Sequence, residues 1–232
     1  MAATPESPAR HRTAAISDDL APTALFGVAL AVGLLVLGLA IRGGPPPLDT
    51  SMAPWIAGWY PGSLTDLFDI LASLPVVGGF GIAAVAVAFR LGRPATGLAF
   101  LVGLASEVPT ALAKVVFDRA RPPGSGEIEA FGPIASYPSG HTVRTVVIVG
   151  LVVVALGWRH LPPYRRLATA AAFAVIVVLV GFARIASGQH WPTDVLGGLF
   201  LGGAWLSVSV VAGAGIAHRL AARRVAATME RS

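Results

Sequence analysis

The sequence predicts an all-α fold, an integral membrane bundle of six transmembrane helices, and three observations carry that prediction. Hydrophobic residues make up 55% of the 232-residue chain and charged residues only 12%, with a mean hydropathy of +0.73; soluble domains hold about 25% charged residues. Apolar runs, most of them close to the roughly 20 residues that cross a bilayer, recur six times along the chain. Prolines and arginines collect in the segments between them. One helical domain accounts for the length. The chain contains no cysteine, which excludes disulfides, thiolate metal sites and cysteine nucleophiles together.

Residues 1–22 are rich in Ala, Pro, Ser and Thr without a helical apolar period, and are expected to form a disordered cytoplasmic tail. Thr23 to Ile41 carries no charge and has no small-residue cleavage motif at its end, so it reads as a first span rather than a signal peptide. Arg42 to Asp66 contains Pro45, Pro46, Pro47, Pro54 and Pro61 and reads as a loop, with Trp55, Trp59 and Tyr60 suited to the headgroup layer. Leu67 to Phe89 is the second span, interrupted by Pro75 and the Gly78-Gly79-x-Gly81 cluster. After the turn Arg90 to Pro94, a third span runs from Ala95 to about Phe117 and holds Glu107 and Lys114. A charged side chain inside a span costs at least about 2.5–3.5 kcal/mol, so such groups face a bundle interior or a watery cavity.

A polar loop, Arg119 to Pro138, leads to the fourth run, Val143 to Gly157. The basic connection Trp158 to Arg166, a fifth span from Leu167 to about Phe182, a loop from Ala183 to Pro192 and a sixth span from about Thr193 to Ala217 complete the domain, residues 23–217. Gly197, Gly198, Gly202 and Gly203 give the sixth span small-xxx-small spacing for close helix packing. Residues 218–232 form a basic tail.

An even number of spans puts both termini on one side. Lys and Arg on that face outnumber those on the other by eleven to six, so both termini are expected in the cytoplasm and the chain in the cell membrane. The net charge of +5 is thus mainly an orientation device, and no nucleic-acid partner is expected. Five of the six outer basic residues lie between Lys114 and Arg184, where His141, His190 and Asp194 also fall.

Three patches place those groups. In Lys114-x6-Arg121-Pro122 the cations are about two helical turns apart and can share one helix face, with Pro122 and Pro123 ending the helix. In Tyr137-Pro138-Ser139-Gly140-His141 the free amides at the start of the fourth span offer an anion seat that Gly140 leaves open. In Arg184-x5-His190-Trp191-Pro192-Thr193-Asp194 the carboxylate follows His190 by four residues and can orient its ring. Lys114, Arg121 and Arg184 as cations, with Ser139 and Gly140 as neutral donors, suit a phosphoryl oxyanion and a transfer that needs positioning and charge neutralisation. No acidic cluster suggests a magnesium cage and the histidines lack zinc-pair spacing, so no metal or cofactor is expected.

These three motifs, in this order, resemble the type 2 phosphatidic acid phosphatase (PAP2) superfamily, whose membrane members are six-span lipid phosphate phosphatases. The resemblance covers Lys114 to Asp194 by motif and the rest by span pattern; Ala183 departs from it, since the third motif usually has serine before the arginine. It implies that His190 is the nucleophile that becomes phosphohistidine, with Asp194 fixing its tautomer and His141 protonating the leaving oxygen. It also implies a phosphate cradle of Lys114, Arg121, Ser139, Gly140 and Arg184. The expected substrate is a membrane lipid phosphate or diphosphate hydrolysed on the extracytoplasmic face. Undecaprenyl diphosphate comes first, with phosphatidic acid and phosphatidylglycerol phosphate close behind. The same site would serve a lipid phosphotransferase, and intramembrane charges also line anion transporters and channels.

Three residues keep open readings. Glu107 shares a helix face with Lys114 and either forms a structural ion pair, orients Lys114 or touches substrate. Arg144 either reaches a second phosphate or contacts headgroups. Trp191 is either an interfacial anchor or a substrate contact.

Overall fold

The computed structural model describes residues 8–125 and 135–229, and every regular element among them is helical. Helix α1 (Pro8–Ala40) passes through Pro22 without ending, and its Leu20–Ala40 portion is long and apolar enough to cross a membrane. Helix therefore runs through residues 8–22, where the sequence reading places an unstructured tail; residues 1–7 of that tail lie outside the described residues.

The expected loop from Arg42 to Asp66 is mostly helix, a correction to the sequence reading. Here α2 (Pro47–Trp59) and α3 (Gly62–Leu71) follow one another. Pro47 and Pro61 start helices rather than break them, and α2 continues through Pro54. Pro47 occupies the first turn of α2 and Pro61 the N-cap of α3, positions where a missing N–H leaves no intrahelical bond unmade. The expected single span from Leu67 to Phe89 is divided between α3 and α4 (Leu74–Arg90), which meet at a 42° bend. Pro75 lies in the first turn of α4, again a start signal.

The stretch Pro94–Phe117 is long and apolar enough to cross, and consists of α5 (Pro94–Leu104) and α6 (Glu107–Phe117), interrupted at Ala105 and Ser106. Helix α7 (Gly140–Ala155), a short 3-10 turn (Trp158–His160), α8 (Pro163–Ala186) and α9 (Pro192–Met229) complete the chain. Like α1, α9 overruns its expected limit and carries helix past Ala217 into the basic tail. Among the described residues, four stretches are long and apolar enough to cross, five if the bent α3–α4 pair counts as one crossing, and α7 is a shorter apolar helix.

Helix α7 is the axis of the bundle. Its Val143, Val147, Ile148 and Leu151 share one buried cluster with Phe100 of α5, Leu201 of α9 and Leu34 of α1, and α1 itself packs on α9. Close approach of α9 depends on its glycines: a Cβ at Gly198 would come 2.7 Å from Thr142 Cβ, and one at Gly202 would come 2.8 Å from Val146 Cβ. In lipid, apolar side chains gain little by leaving their surroundings, so this shape fit holds the helices together. Leu35, Val36, Val115, Val116 and Val178 project outward from the bundle, as lipid-facing residues do. Ile56 and Tyr60 pack on Ala183 and Ile185, and the Tyr60 hydroxyl donates to the Leu179 carbonyl at 3.0 Å. These contacts fold α2 and α3 over α8, beside the ends of α6 and α7.

Candidate active site

The first patch is built differently from its expected single helix face. Helix α6 ends at Phe117 because Asp118 adopts a left-handed conformation (φ 39°), its N–H bonding the Lys114 carbonyl at 2.9 Å. Lys114 thus sits in the last turn of α6, while Arg121 lies beyond the helix and Pro122 follows in the loop. The chain bends, and the two cations meet other partners. Lys114 is buried and its Nζ donates to the Ala135 carbonyl at 2.9 Å. Arg121 reaches the loop before His190, donating from Nη1 to the Gln189 carbonyl at 2.9 Å and to its Oε1 at 3.2 Å.

The second patch opens α7. Ser139 is the N-cap residue, yet its side chain makes no cap bond; its Oγ accepts from Thr142 Oγ1 at 3.1 Å and its N–H donates to the Asp194 carbonyl at 3.0 Å. The first-turn amides of α7 therefore keep the donor capacity that suits a helix N-terminus to anions. A Cβ at Gly140 would lie 3.4 Å from Arg144 Nη2, so the Arg144 guanidinium folds back beside this glycine. Arg144 is fixed there by Glu107, Nε to Oε1 at 3.0 Å, and by the Ala72 carbonyl, to which Nη1 donates at 3.2 Å. Glu107 thus pairs with Arg144, joining α6 to α7.

The third patch joins α8 to α9. Arg184, in the last turn of α8, forms an ion pair with Asp69 of α3 at 2.8 Å, and its carbonyl accepts the His190 N–H at 3.1 Å. His190 is fully enclosed. Its Nδ1 lies 3.6 Å from Asp194 Oδ2, close enough for charge pairing and beyond hydrogen-bond length. Asp194 Oδ2 accepts the Trp191 N–H at 2.7 Å, the acceptor half of a capping box at the start of α9. Burial, then the charges of Arg184, Arg121 and Lys114, hold the His190 imidazole well below its ordinary pKa of 6.5. The ring is neutral at pH 7 and keeps a lone pair for attack. Half-buried His141 faces the same ground, within electrostatic reach of Arg184, Arg144, His190 and Lys114.

The three patches therefore come together around His190: Lys114, Arg121 and Arg184 lie within electrostatic reach of it, Asp194 stands beside it, Ser139 bonds the Asp194 carbonyl, and Arg144, paired with Glu107, lies within reach of His141. Trp191 is not an exposed anchor: it is buried, and its Nε1 donates to the Ala120 carbonyl at 3.1 Å. Ala183, the departure from the third motif, is fully buried in the cluster with Ile56 and Tyr60.

Sequence reasoning passed over Asp49, Asp69, Arg119 and Thr193. Arg119 binds Asp49 and Asp194, each at 2.6 Å, and Thr193 Oγ1 at 2.7 Å. Asp49 lies on α2, in the segment read as a loop, so no helix face pointed to it; Asp69 lies on α3, inside the expected second span, where its charge was a usable signal. Arg119, two residues before the motif arginine, registered only as outer charge. An apolar groove of about 440 Å³ runs between α3, α4, α7 and α8, and Ala72 and Thr145 line it next to Arg144.

A family model described as the PAP2 superfamily matches residues 94–215. Phosphatidylglycerophosphatase B of Bacillus subtilis (strain 168) is 39% identical over 70 residues, which cover 29% of this chain and 34% of that protein. The match thus spans about a third of that relative's length. In fold the chain is similar to a solved structure, the first transmembrane PAP2 type phosphatidylglycerolphosphate phosphatase from Bacillus subtilis, with a TM-score of 0.61. That likeness covers 79% of this chain and 93% of the other at 24% identity.

Proposed function

Because this chain belongs to the PAP2 superfamily, we propose that it is a lipid phosphatase that hydrolyses the terminal phosphate of a lipid phosphate or diphosphate through a phosphohistidine. One observation carries the reading. Lys114 and Arg121 from the first patch and Arg184 from the third all bring their charge to bear on the buried His190 of the third.

In the proposed reaction the phosphate oxygens take hydrogen bonds from Lys114, Arg121, Arg184 and the first amides of α7. The His190 nitrogen remote from Asp194 attacks phosphorus with its lone pair, and the bond from phosphorus to the lipid oxygen breaks. His141 supplies the proton to that oxygen. Water then attacks the phosphohistidine, its proton passes to His141, and inorganic phosphate leaves with His190 neutral again. Asp194 balances the imidazolium in between. The apolar groove beside Arg144 suits the lipid tail, which keeps the substrate's hydrocarbon in the membrane while its headgroup is in the cradle.

The relatives' names put phosphatidylglycerophosphate first among substrates to test, alongside undecaprenyl diphosphate and phosphatidic acid. We further propose six crossings, with α7 as the short one, both termini in the cytoplasm of a cell-membrane protein, and the pocket on the outer face. Phosphate release from these lipids in detergent tests the activity. Wild type is expected to release phosphate and His190→Ala to lose at least about a thousandfold in kcat, the scale of removing a nucleophile. Wild-type-like turnover by His190→Ala would refute the nucleophile, and absence of release by wild type from every lipid phosphate would refute the function.

A further inference from the structure

Resting on His190 as nucleophile, we propose that Asp49 is a positioning residue for phosphoryl transfer: acting through Arg119, it holds Asp194 in place and leaves it net negative charge to meet the imidazolium.

The geometry is a closed ring. Asp194 is held at both oxygens, Oδ1 by Arg119 Nη1 at 2.6 Å and Oδ2 by the Trp191 N–H at 2.7 Å. The His190 ring, 3.6 Å away, is not what places it. Arg119 is placed in turn by Asp49, Nη2 to Oδ2 at 2.6 Å. Asp49 completes the ring by accepting the Thr193 N–H at 2.9 Å on Oδ1 and the Thr193 hydroxyl at 2.7 Å on Oδ2. Asp49, Arg119, Thr193 and Asp194 are all buried.

The charge count favours a role in the reaction over a role as scaffold alone. Two carboxylates share one guanidinium, so the ring carries a net negative charge in a buried place, where unbalanced charge is costly. One carboxylate would suffice to neutralise Arg119. The second leaves a surplus, and the reaction supplies its counterpart: when the His190 lone pair becomes a nitrogen–phosphorus bond and the leaving oxygen takes the old bonding pair, the imidazole gains one positive charge. Without the Asp49 charge, Arg119 would be balanced by Asp194 alone and the imidazolium would face a neutral pair. Among the described residues, Asp49 bonds to Arg119 and Thr193, behind Asp194, so its effect belongs to the transition state rather than to phosphate binding.

Asp49→Asn in the full-length protein separates these roles, since asparagine can still accept the Thr193 N–H while the charge is gone. Vanadate, which takes a fifth ligand from a nucleophile, reports on transition-state geometry, and orthophosphate reports on the cradle. Relative to wild type, kcat is expected to fall about tenfold or more and the vanadate inhibition constant to rise in parallel, while that for orthophosphate stays within about twofold. Asp49→Glu, which keeps the charge, is expected to lose less on both kcat and vanadate. The inference is overturned if Asp49→Asn leaves the vanadate-to-phosphate ratio unchanged, weakens both anions equally, or does no more harm than Asp49→Glu. Should Asp49→Asn fail to fold, Arg119→Lys is read the same way, because one ammonium cannot reproduce the two-armed fork that joins both carboxylates. If neither folds, the ring is scaffold only and the inference falls. A wild type that releases no phosphate instead sinks the phosphatase reading itself.

Discussion

Arg144 is held on three sides, by Glu107, by the Ala72 carbonyl and by its own turn of α7 beside Gly140. A side chain fixed this way loses little freedom on meeting an anion, and the amides of α7 lie next to it. This is where the phosphate beyond the reacting one would sit in a diphosphate. Charge-assisted hydrogen bonds are worth about 1.5–3 kcal/mol. Arg144→Ala is therefore expected to lower kcat/KM for undecaprenyl diphosphate about tenfold or more beyond its effect on phosphatidic acid. Equal losses on the two substrates, measured by phosphate release, would end the second-phosphate role. The residue types at this scale were legible because cations and histidines are scarce in a chain with only 12% charge. Their partners were not, since Asp49 sits in an expected loop and Asp69, though charged within an expected span, meets Arg184 only once α3 packs on α8.

Among the helices, α9 is the element on which the pocket depends, because it carries Asp194 and packs along α7, which carries Ser139, Gly140 and His141. An alanine at Gly202 would place its Cβ 2.8 Å from Val146 Cβ and 3.1 Å from the Val143 carbonyl oxygen, atoms too near the α7 backbone to swing aside. Such overpacking costs about 1–3 kcal/mol. Gly202→Ala is expected to lower the melting temperature in detergent by several degrees, at about 2–4 °C per kcal/mol for a chain of this size. Gly79→Ala, with no atom within 4 Å of the added Cβ, is the matched control and should leave the melting temperature unchanged or slightly raised. Equal shifts would mean that the glycine contact is not what seats α9. Small-residue spacing in the sequence announced this packing, whereas the prolines of α2, α3 and α4 misled. Proline signals a break or a start with the same residue, and only the observed N-terminal positions of Pro47, Pro61 and Pro75 distinguish the two.

At the scale of the whole molecule, the proposed arrangement in the membrane rests on where the arginines lie. Because the chain has no cysteine, a single introduced one reports without background. Ser125→Cys, in the loop after Arg121, is expected to react with an impermeant maleimide on intact cells, and Arg93→Cys, between α4 and α5, only after permeabilisation. The opposite pattern would invert the orientation. The sequence by itself determined that the chain is helical and lives in a bilayer, and which three patches carry its polar chemistry. Those properties depend on composition and on local spacing, which no fold can change. Only the tertiary structure decided that Lys114 and Arg121 converge through a bend at Asp118, that Glu107 holds Arg144, and that Asp49 stands behind Asp194 through Arg119. Each of these joins groups from different helices, and pairings across a bundle are fixed by how the helices pack, which spacing along one chain does not encode.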